Sequence, residues 1–150
     1  MCLIDRINMR AIAKQICSVS SDAVRLPLSE RHIRKVNIMK REYMQKIKDG
    51  VLTNDILLEC WIGADTYISK YAYLAKKWQH SYYPEHQVYP EKRNQYIKIR
   101  GMIQQVLYQD YTEEELKVKI AEMKEKKISV SEKTLNTIYD LLHEKKYVME

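Results

Sequence analysis

The chain has 150 residues, 45% of them hydrophobic, which suits one domain with a core of its own. Three glycines and three prolines are few for this length, and because a β-sandwich or barrel needs more of both in its turns, the composition predicts an all-α fold. The formal net charge is +6, and residues 1 to 52 hold the excess, with eleven Lys or Arg against five Asp or Glu. We therefore expect an anionic partner for the first third of the chain.

The cysteines predict neither a disulfide framework nor a zinc site, because Cys2, Cys17 and Cys60 are odd in number and widely spaced. No stretch resembles the apolar region of a signal peptide, so a reducing, cytoplasmic location is expected. Charged residues interrupt the most apolar stretch, whereas a bilayer span needs about 20 apolar residues, so no membrane partner is expected. No sequence motif indicates a cofactor.

The N-terminal third predicts two helices. Residues 3 to 21 have helix-forming composition, and Pro27 interrupts the pattern that follows. Ser29 can cap a second helix, predicted from Glu30 to about Lys48 and ended by Gly50. Its apolar side carries Ile33, Val36, Tyr43, Met44 and Ile47, and its opposite side carries Arg31, Arg34, Lys35 and Arg41. We expect this basic side to make the main contact with an anionic partner.

A long helix, residues 54 to about 80, is the predicted centre of the fold, with capping oxygens at Thr53 to Asp55. Its helical period puts one set of side chains on a broad inner face: Ile56, Leu57, Cys60, Trp61, Ala64, Tyr67, Ile68, Tyr71, Leu74, Ala75 and Trp78. Leu58 and Ile62 form a second apolar strip, so neighbours must cover the helix on more than one side. Gly63 is either a close-packing notch or a tolerated weakness that costs about 1 kcal/mol relative to alanine.

Residues 79 to 96 contain a predicted loop after the long helix, because Pro84 and Pro90 break the helical pattern. The segment interleaves aromatic and cationic residues: Tyr82, Tyr83, Tyr89 and Tyr96 with His80, His86, Lys92 and Arg93. Such rings can stack unpaired bases while the cations contact phosphates, which makes single-stranded nucleic acid one possible ligand. The alternative is that the tyrosines pack the loop onto the helices. His80 and His86 lack a further suitably spaced ligand, so no metal is expected.

The last third predicts three helices. One runs from Pro90 to about Tyr108 with Tyr96, Ile99, Ile103, Val106 and Leu107 on its inner side. Thr112 to Glu115 has the spacing of a capping box, and Ser129 to Glu132 repeats that spacing before the final helix. This part of the chain, about residues 95 to 148, resembles the tri-helical core of helix-turn-helix and winged-helix domains.

That resemblance implies a last helix in the major groove, with Lys133, Asn136 and Thr137 facing the bases. Two features depart from it: Glu132, Asp140 and Glu144 leave this helix nearly neutral, and the sequence stops at Glu150, before a wing hairpin is expected. The alternative is an ordinary helical bundle, whose last helix contributes Leu135, Ile138 and Leu142 to the core.

The expected fold is one all-α domain, residues 1 to 150, in which about six helices surround the central one, with a possible division into residues 1 to 80 and 91 to 150. Catalysis is not expected, because no phosphate-binding glycine loop, zinc-binding helix or serine elbow occurs. Two function classes stay open. One is a small non-enzymatic protein that binds nucleic acid or is associated with it. The other is an adaptor or inhibitor, of the kind that phages and mobile elements encode, that binds a partner protein.

Overall fold

The computed structural model describes residues 37 to 150. In this part of the chain five α-helices and four two-residue strands follow one another: β1 (Asn37–Ile38), α1 (Arg41–Lys48), β2 (Val51–Leu52), α2 (Asn54–Lys77), α3 (Tyr89–Leu107), α4 (Glu113–Glu125), β3 (Ile128–Ser129), α5 (Glu132–Glu144) and β4 (Val148–Met149). The mostly helical architecture confirms the predicted class. The helix predicted for residues 3 to 21 lies outside the described residues. None of the helices between residues 37 and 150 combines the length and apolar character needed to cross a bilayer.

Helix α2 is the centre of this part of the fold. Thr53 caps it, because the side-chain oxygen accepts a hydrogen bond from the backbone N–H of Ile56 at 3.2 Å. Leu58 and Ile62 are buried, as the predicted second apolar strip requires, and so are five residues of the predicted inner face: Ile56, Leu57, Cys60, Ala64 and Tyr71. The helix packs along α3 and also contacts α4, β3 and α5, so neighbours cover it on several sides.

The C-terminal end of α2 differs from the prediction. The helix stops at Lys77, and Trp78, which we expected on the inner face, adopts a non-helical backbone and keeps 38% of its surface exposed. Trp61 is only half buried. Its indole Nε1 donates to Gln104 Oε1 at 3.1 Å, and the cationic groups of Arg100 and Lys124 lie over the ring at 5.6 and 5.7 Å. Trp61 therefore packs against the hydrophobic core on one side and contacts the charged groups of Arg100 and Lys124 on the other.

Gly63 is a close-packing notch, which decides between the two sequence-based explanations. A Cβ atom at this position would lie 2.7 Å from the Cβ of Val130, a buried residue between β3 and α5. Since side chains do not approach this closely, only glycine lets α2 and the segment around Val130 pack at their observed distance.

The helix predicted from Glu30 to Lys48 is wrong at residues 37 to 40, and its part before residue 37 lies outside the described residues. Asn37 and Ile38 form strand β1, Lys40 has an extended backbone, and the helix begins only at Arg41. The reason is tertiary, because β1 pairs in parallel with β3 and Asn37 Nδ2 donates to the carbonyl of Lys126 at 2.5 Å. Residues 37 to 40 therefore do not continue α1 towards the N-terminus.

A second parallel pair joins β2 to β4, with Val51 opposite Val148. The backbone N–H groups of Val148 and Glu150 donate to the carbonyls of Gly50 and Leu52, both at 2.8 Å. Gly50 ends α1 as predicted, with a φ of 76° in the left-handed region that favours glycine. The chain end is thus tied to the turn that leads into α2.

The C-terminal helices follow the predicted pattern with one change. All five residues expected on the inner side of α3 are buried, and Thr112 and Glu115 form the predicted capping box. The second predicted box is wrong: Ser129 lies in β3, and Ser131 caps α5 by accepting from the backbone N–H of Thr134 at 3.1 Å. Pairing of β3 with β1 displaces the cap by two residues.

The resemblance to a helix-turn-helix core is not confirmed. Helix α4 packs against α2, while α5 packs against α3, α1 and α2. Asn136, which that resemblance would aim at DNA bases, accepts a hydrogen bond from Gln95 Nε2 at 2.8 Å.

Candidate nucleic-acid interface

Six aromatic rings form a continuous array between α2, α3 and the loop that joins them. In order of contact, this ring array consists of Tyr67, Tyr96, Tyr71, Tyr89, His86 and Trp78. Neighbouring ring centroids lie between 4.3 and 6.0 Å apart with small interplanar angles, close to the usual geometry of stacked pairs. The array attaches the loop to the two longest helices.

Glu132, in the first turn of α5, holds the two buried rings of the array, Tyr71 and Tyr96. Its carboxylate accepts hydrogen bonds from the hydroxyls of Tyr71 at 2.8 Å and Tyr96 at 2.5 Å, and Lys92 Nζ lies 3.5 Å away. Burial pulls the pKa of Glu132 upward, but these three partners outweigh it and hold the pKa below its ordinary value.

The pKa values of the two tyrosine hydroxyls that donate to Glu132 shift upward instead. Burial, reinforced by the hydrogen bond to Glu132, raises the pKa of Tyr71 to about 12 and also raises the pKa of Tyr96. The carboxylate is therefore ionised and the phenols are neutral near pH 7. A phenol with a raised pKa stays protonated near pH 7 and so does not act as a general base. Its hydrogen bond to Glu132 instead joins the helices that carry Tyr71, Tyr96 and Glu132.

His86 holds the loop in shape. Its Nδ1 atom lies 2.8 Å from the hydroxyl oxygen of Ser81, which also accepts a hydrogen bond from the backbone N–H of Tyr83 at 3.1 Å. The His86 ring stacks on Trp78 and meets the Tyr83 ring edge-on at a centroid distance of 5.7 Å. A short 3-10 turn, Pro84–His86, completes the loop.

Outside the ring array, the end of α2 and the loop present a surface of aromatic and cationic side chains. We call it the aromatic-basic surface and define it by Tyr73, Lys76, Lys77, Tyr82 and Tyr83. The three tyrosines are 62%, 95% and 66% exposed respectively. Lys77 Nζ lies 5.9 Å from the ring centroid of Tyr73, and residues 76 to 83 line an open cavity of about 630 Å³.

The charges of this surface are open to a ligand. Among residues 37 to 150, the ion pairs include neither Lys76 nor Lys77. Both lysines lie in the last turn of α2 and are exposed. Lys92 differs from them, because it pairs with Glu132 and lies over the ring of Tyr71 at 5.6 Å.

Within residues 37 to 150, the sequence-predicted contact residues do not form one site. Tyr82 and Tyr83 are exposed, whereas Tyr89 is half buried in the ring array, Lys92 belongs to the Glu132 cluster and Arg93 is half buried. Arg41 is exposed at the start of α1, before the N-terminal end of α2, and the aromatic-basic surface lies at the other end of that helix. At 1.5 Å per residue, those two ends are about 36 Å apart. Arg31, Arg34 and Lys35 lie outside the described residues.

Sequence reasoning did not single out Tyr73, Lys76 and Lys77 as candidate contact residues. In the sequence the lysines only interrupt an apolar helix, and cations in a last helical turn are ordinary because they complement the helix dipole. One signal was present: Tyr73 and Lys77 are four residues apart and so share a helix face. That face lies away from buried Tyr71.

Two further kinds of chemistry concern residues 37 to 150: metal binding and the reactivity of Cys60. No group of three or more His, Cys, Asp or Glu side chains in this range is placed to hold a metal ion. Burial, with a smaller contribution from Glu59, raises the pKa of the Cys60 thiol, so Cys60 stays protonated and unreactive.

No protein-family model, curated protein or solved structure matches the chain.

Proposed function

We propose that the protein is a small non-enzymatic nucleic-acid-binding accessory protein whose contact includes the aromatic-basic surface. The observation that supports this is the placement of exposed tyrosines beside lysines that no described carboxylate neutralises. Lysines supply the salt-dependent attraction to phosphates, and exposed rings supply contact with bases.

The N-terminal cations belong to the same proposal. The sequence places Arg31, Arg34 and Lys35 in the basic first third of the chain, and Arg41 is exposed in α1. Since positive charge raises both the affinity for phosphates and the association rate, these residues would add a sequence-independent contact.

The experiment is a fluorescence-anisotropy titration of labelled RNA and DNA oligonucleotides over a range of salt concentrations. Replacing Lys76 and Lys77 with glutamine should lower the slope of log affinity against log salt by roughly 0.7 to 0.9 for each phosphate that the variant no longer binds. Lys98→Gln with Lys119→Gln is the matched control, because it removes the same charge from exposed positions on α3 and α4. Absence of binding to every oligonucleotide at low salt would reject the proposal.

A protein partner is the second candidate, because exposed tyrosines are also typical anchors of protein interfaces. The basic surface would then meet an acidic or nucleic-acid-mimicking surface. A pull-down from nuclease-treated lysate separates the two functions, since only a protein partner persists when nucleic acid is removed. Loss of that partner in the Lys76 and Lys77 variant, but not in the control, would favour the adaptor or inhibitor function.

A further inference from the structure

We propose that the aromatic-basic surface recognises unpaired bases, in RNA or in single-stranded DNA, in preference to a duplex. This inference rests on the proposed function and names its class of ligand. Three features support it: the exposure of two adjacent rings, the way the fold holds them, and the position of the nearest cations.

The two rings suited to stacking are those of Tyr82 and Tyr83, which are 95% and 66% exposed. An aromatic ring can stack on any base whose face is free, and this contact tolerates sequence variation. In a duplex the neighbouring base pairs already cover those faces. Two exposed adjacent tyrosines therefore favour a strand whose bases can turn outward.

The loop holds Tyr83 in place before any ligand arrives. The Tyr83 N–H donates to Ser81, its carbonyl accepts from the N–H of His86 at 3.0 Å, and Pro84 restricts the backbone of the residue before it. His86 itself stacks between Trp78 and Tyr89. Because the platform is already ordered by the ring array, binding loses less conformational entropy than it would on a free loop.

The nearest exposed cations complete the site. Lys76, Lys77 and the two tyrosines line the same open cavity of about 630 Å³, which lies within the usual range of about 300 to 1,000 Å³ for small-ligand sites. A base on a tyrosine ring and its phosphate near a lysine of the last turn of α2 can therefore share this space.

The test compares a short oligouridylate, a short oligothymidylate and a hairpin duplex of matched length, with full-length protein. The wild-type protein should bind both single strands more tightly than the duplex, and Tyr82→Ala with Tyr83→Ala should weaken single-strand binding by roughly 5- to 150-fold for each ring. Tyr82→Phe with Tyr83→Phe should retain the affinity, because phenylalanine keeps the stacking face. A preference for uridylate or thymidylate would support the proposal and identify the source of the bases.

Two controls separate recognition from folding. Tyr108→Ala removes an exposed tyrosine at the opposite end of α3, about 28 Å along that helix, and should leave the affinity unchanged. The melting temperature of each alanine variant reports folding, and Tyr82→Ala alone, at an almost fully exposed position, supplies a variant that keeps the loop.

The outcomes are distinguishable. Wild-type affinity in the double alanine variant, or duplex binding as tight as single-strand binding, would overturn this inference and leave the proposed function standing. Failure of all three ligands to bind at low salt would overturn both.

Discussion

The contacts of Glu132 in the folded chain could not be predicted from its position in the sequence. In the sequence it is one negative charge in the first turn of a helix, where the helix dipole already explains it. In the folded chain it accepts hydrogen bonds from tyrosines on α2 and α3 and pairs with Lys92. One carboxylate thus connects three helices.

The lowered pKa of Glu132 makes a pH-dependent prediction. The ionised form stabilises the fold at pH values above the ordinary pKa of 4.5, and that contribution is lost as the pH falls through the lower pKa of the folded state. Glu132→Gln should therefore reduce the free energy of unfolding near neutral pH, and its difference from wild type should shrink in acid. Urea unfolding between about pH 7 and about pH 3 measures this difference.

The control for that series is Glu122→Gln, which removes an exposed carboxylate that has no ion pair among residues 37 to 150. A constant difference between wild type and Glu132→Gln at all pH values would show that the hydrogen bonds survive protonation, contrary to the prediction.

At the scale of elements, the two helical glycines have opposite meanings. Gly63 lies against Val130, where a Cβ atom would be 2.7 Å from its neighbour. Gly101, in α3, has no atom within 4 Å of the equivalent position and faces solvent. The sequence shows two glycines inside helical patterns, and only the packing distinguishes a notch from a weakness.

Replacing each glycine with alanine gives two variants whose stabilities can be compared directly. Gly63→Ala should destabilise the protein by about 1–3 kcal/mol through overpacking, which exceeds its gain in helix propensity. Gly101→Ala should stabilise the protein by about 0.5–1 kcal/mol, since it gains propensity without a clash. Chemical denaturation measures both values. If Gly63→Ala were as stabilising as Gly101→Ala, the close contact with Val130 would not constrain the helix.

At the scale of the whole described chain, pairs of two-residue strands join distant segments. The N–H of Val148 donates to the carbonyl of Gly50, and the side chain of Lys46 forms an ion pair with Glu150. Helix α5, which leads into β4, also packs against α1. These contacts together tie the C-terminal end of the chain to α1 and to the turn before α2.

Substitutions at Val148 test this connection. Val148→Pro removes the backbone donor and should cost about 1–3 kcal/mol, because the carbonyl of Gly50 loses its hydrogen bond. Val148→Ala keeps the donor and truncates a side chain that is 67% exposed, so its effect should stay within about 0.5 kcal/mol. Thermal unfolding of the two variants compares them, and equal melting temperatures would show that the strand pair adds nothing to stability.

The sequence by itself determined the features that depend on nearby residues. The 3.6-residue period located α2 and predicted that more than one of its sides is covered, and side-chain oxygens located the caps at Thr53 and Thr112. The alternation of aromatic and cationic residues around Pro84 located the loop and two rings of the candidate site, Tyr82 and Tyr83. Each of these signals acts within a few residues of the chain.

Only the tertiary structure decided the rest, because the partners lie far apart in the sequence. Strand β1 pairs with a segment about ninety residues away, which shortens α1 and moves the cap of α5 to Ser131. Lys92 pairs with Glu132 and is therefore not free to contact a ligand. Tyr89 packs in the ring array, whereas Tyr73 and Lys77 remain exposed. Local pattern fixes where a helix forms, but contacts between distant segments fix which of its side chains remain free to meet a ligand.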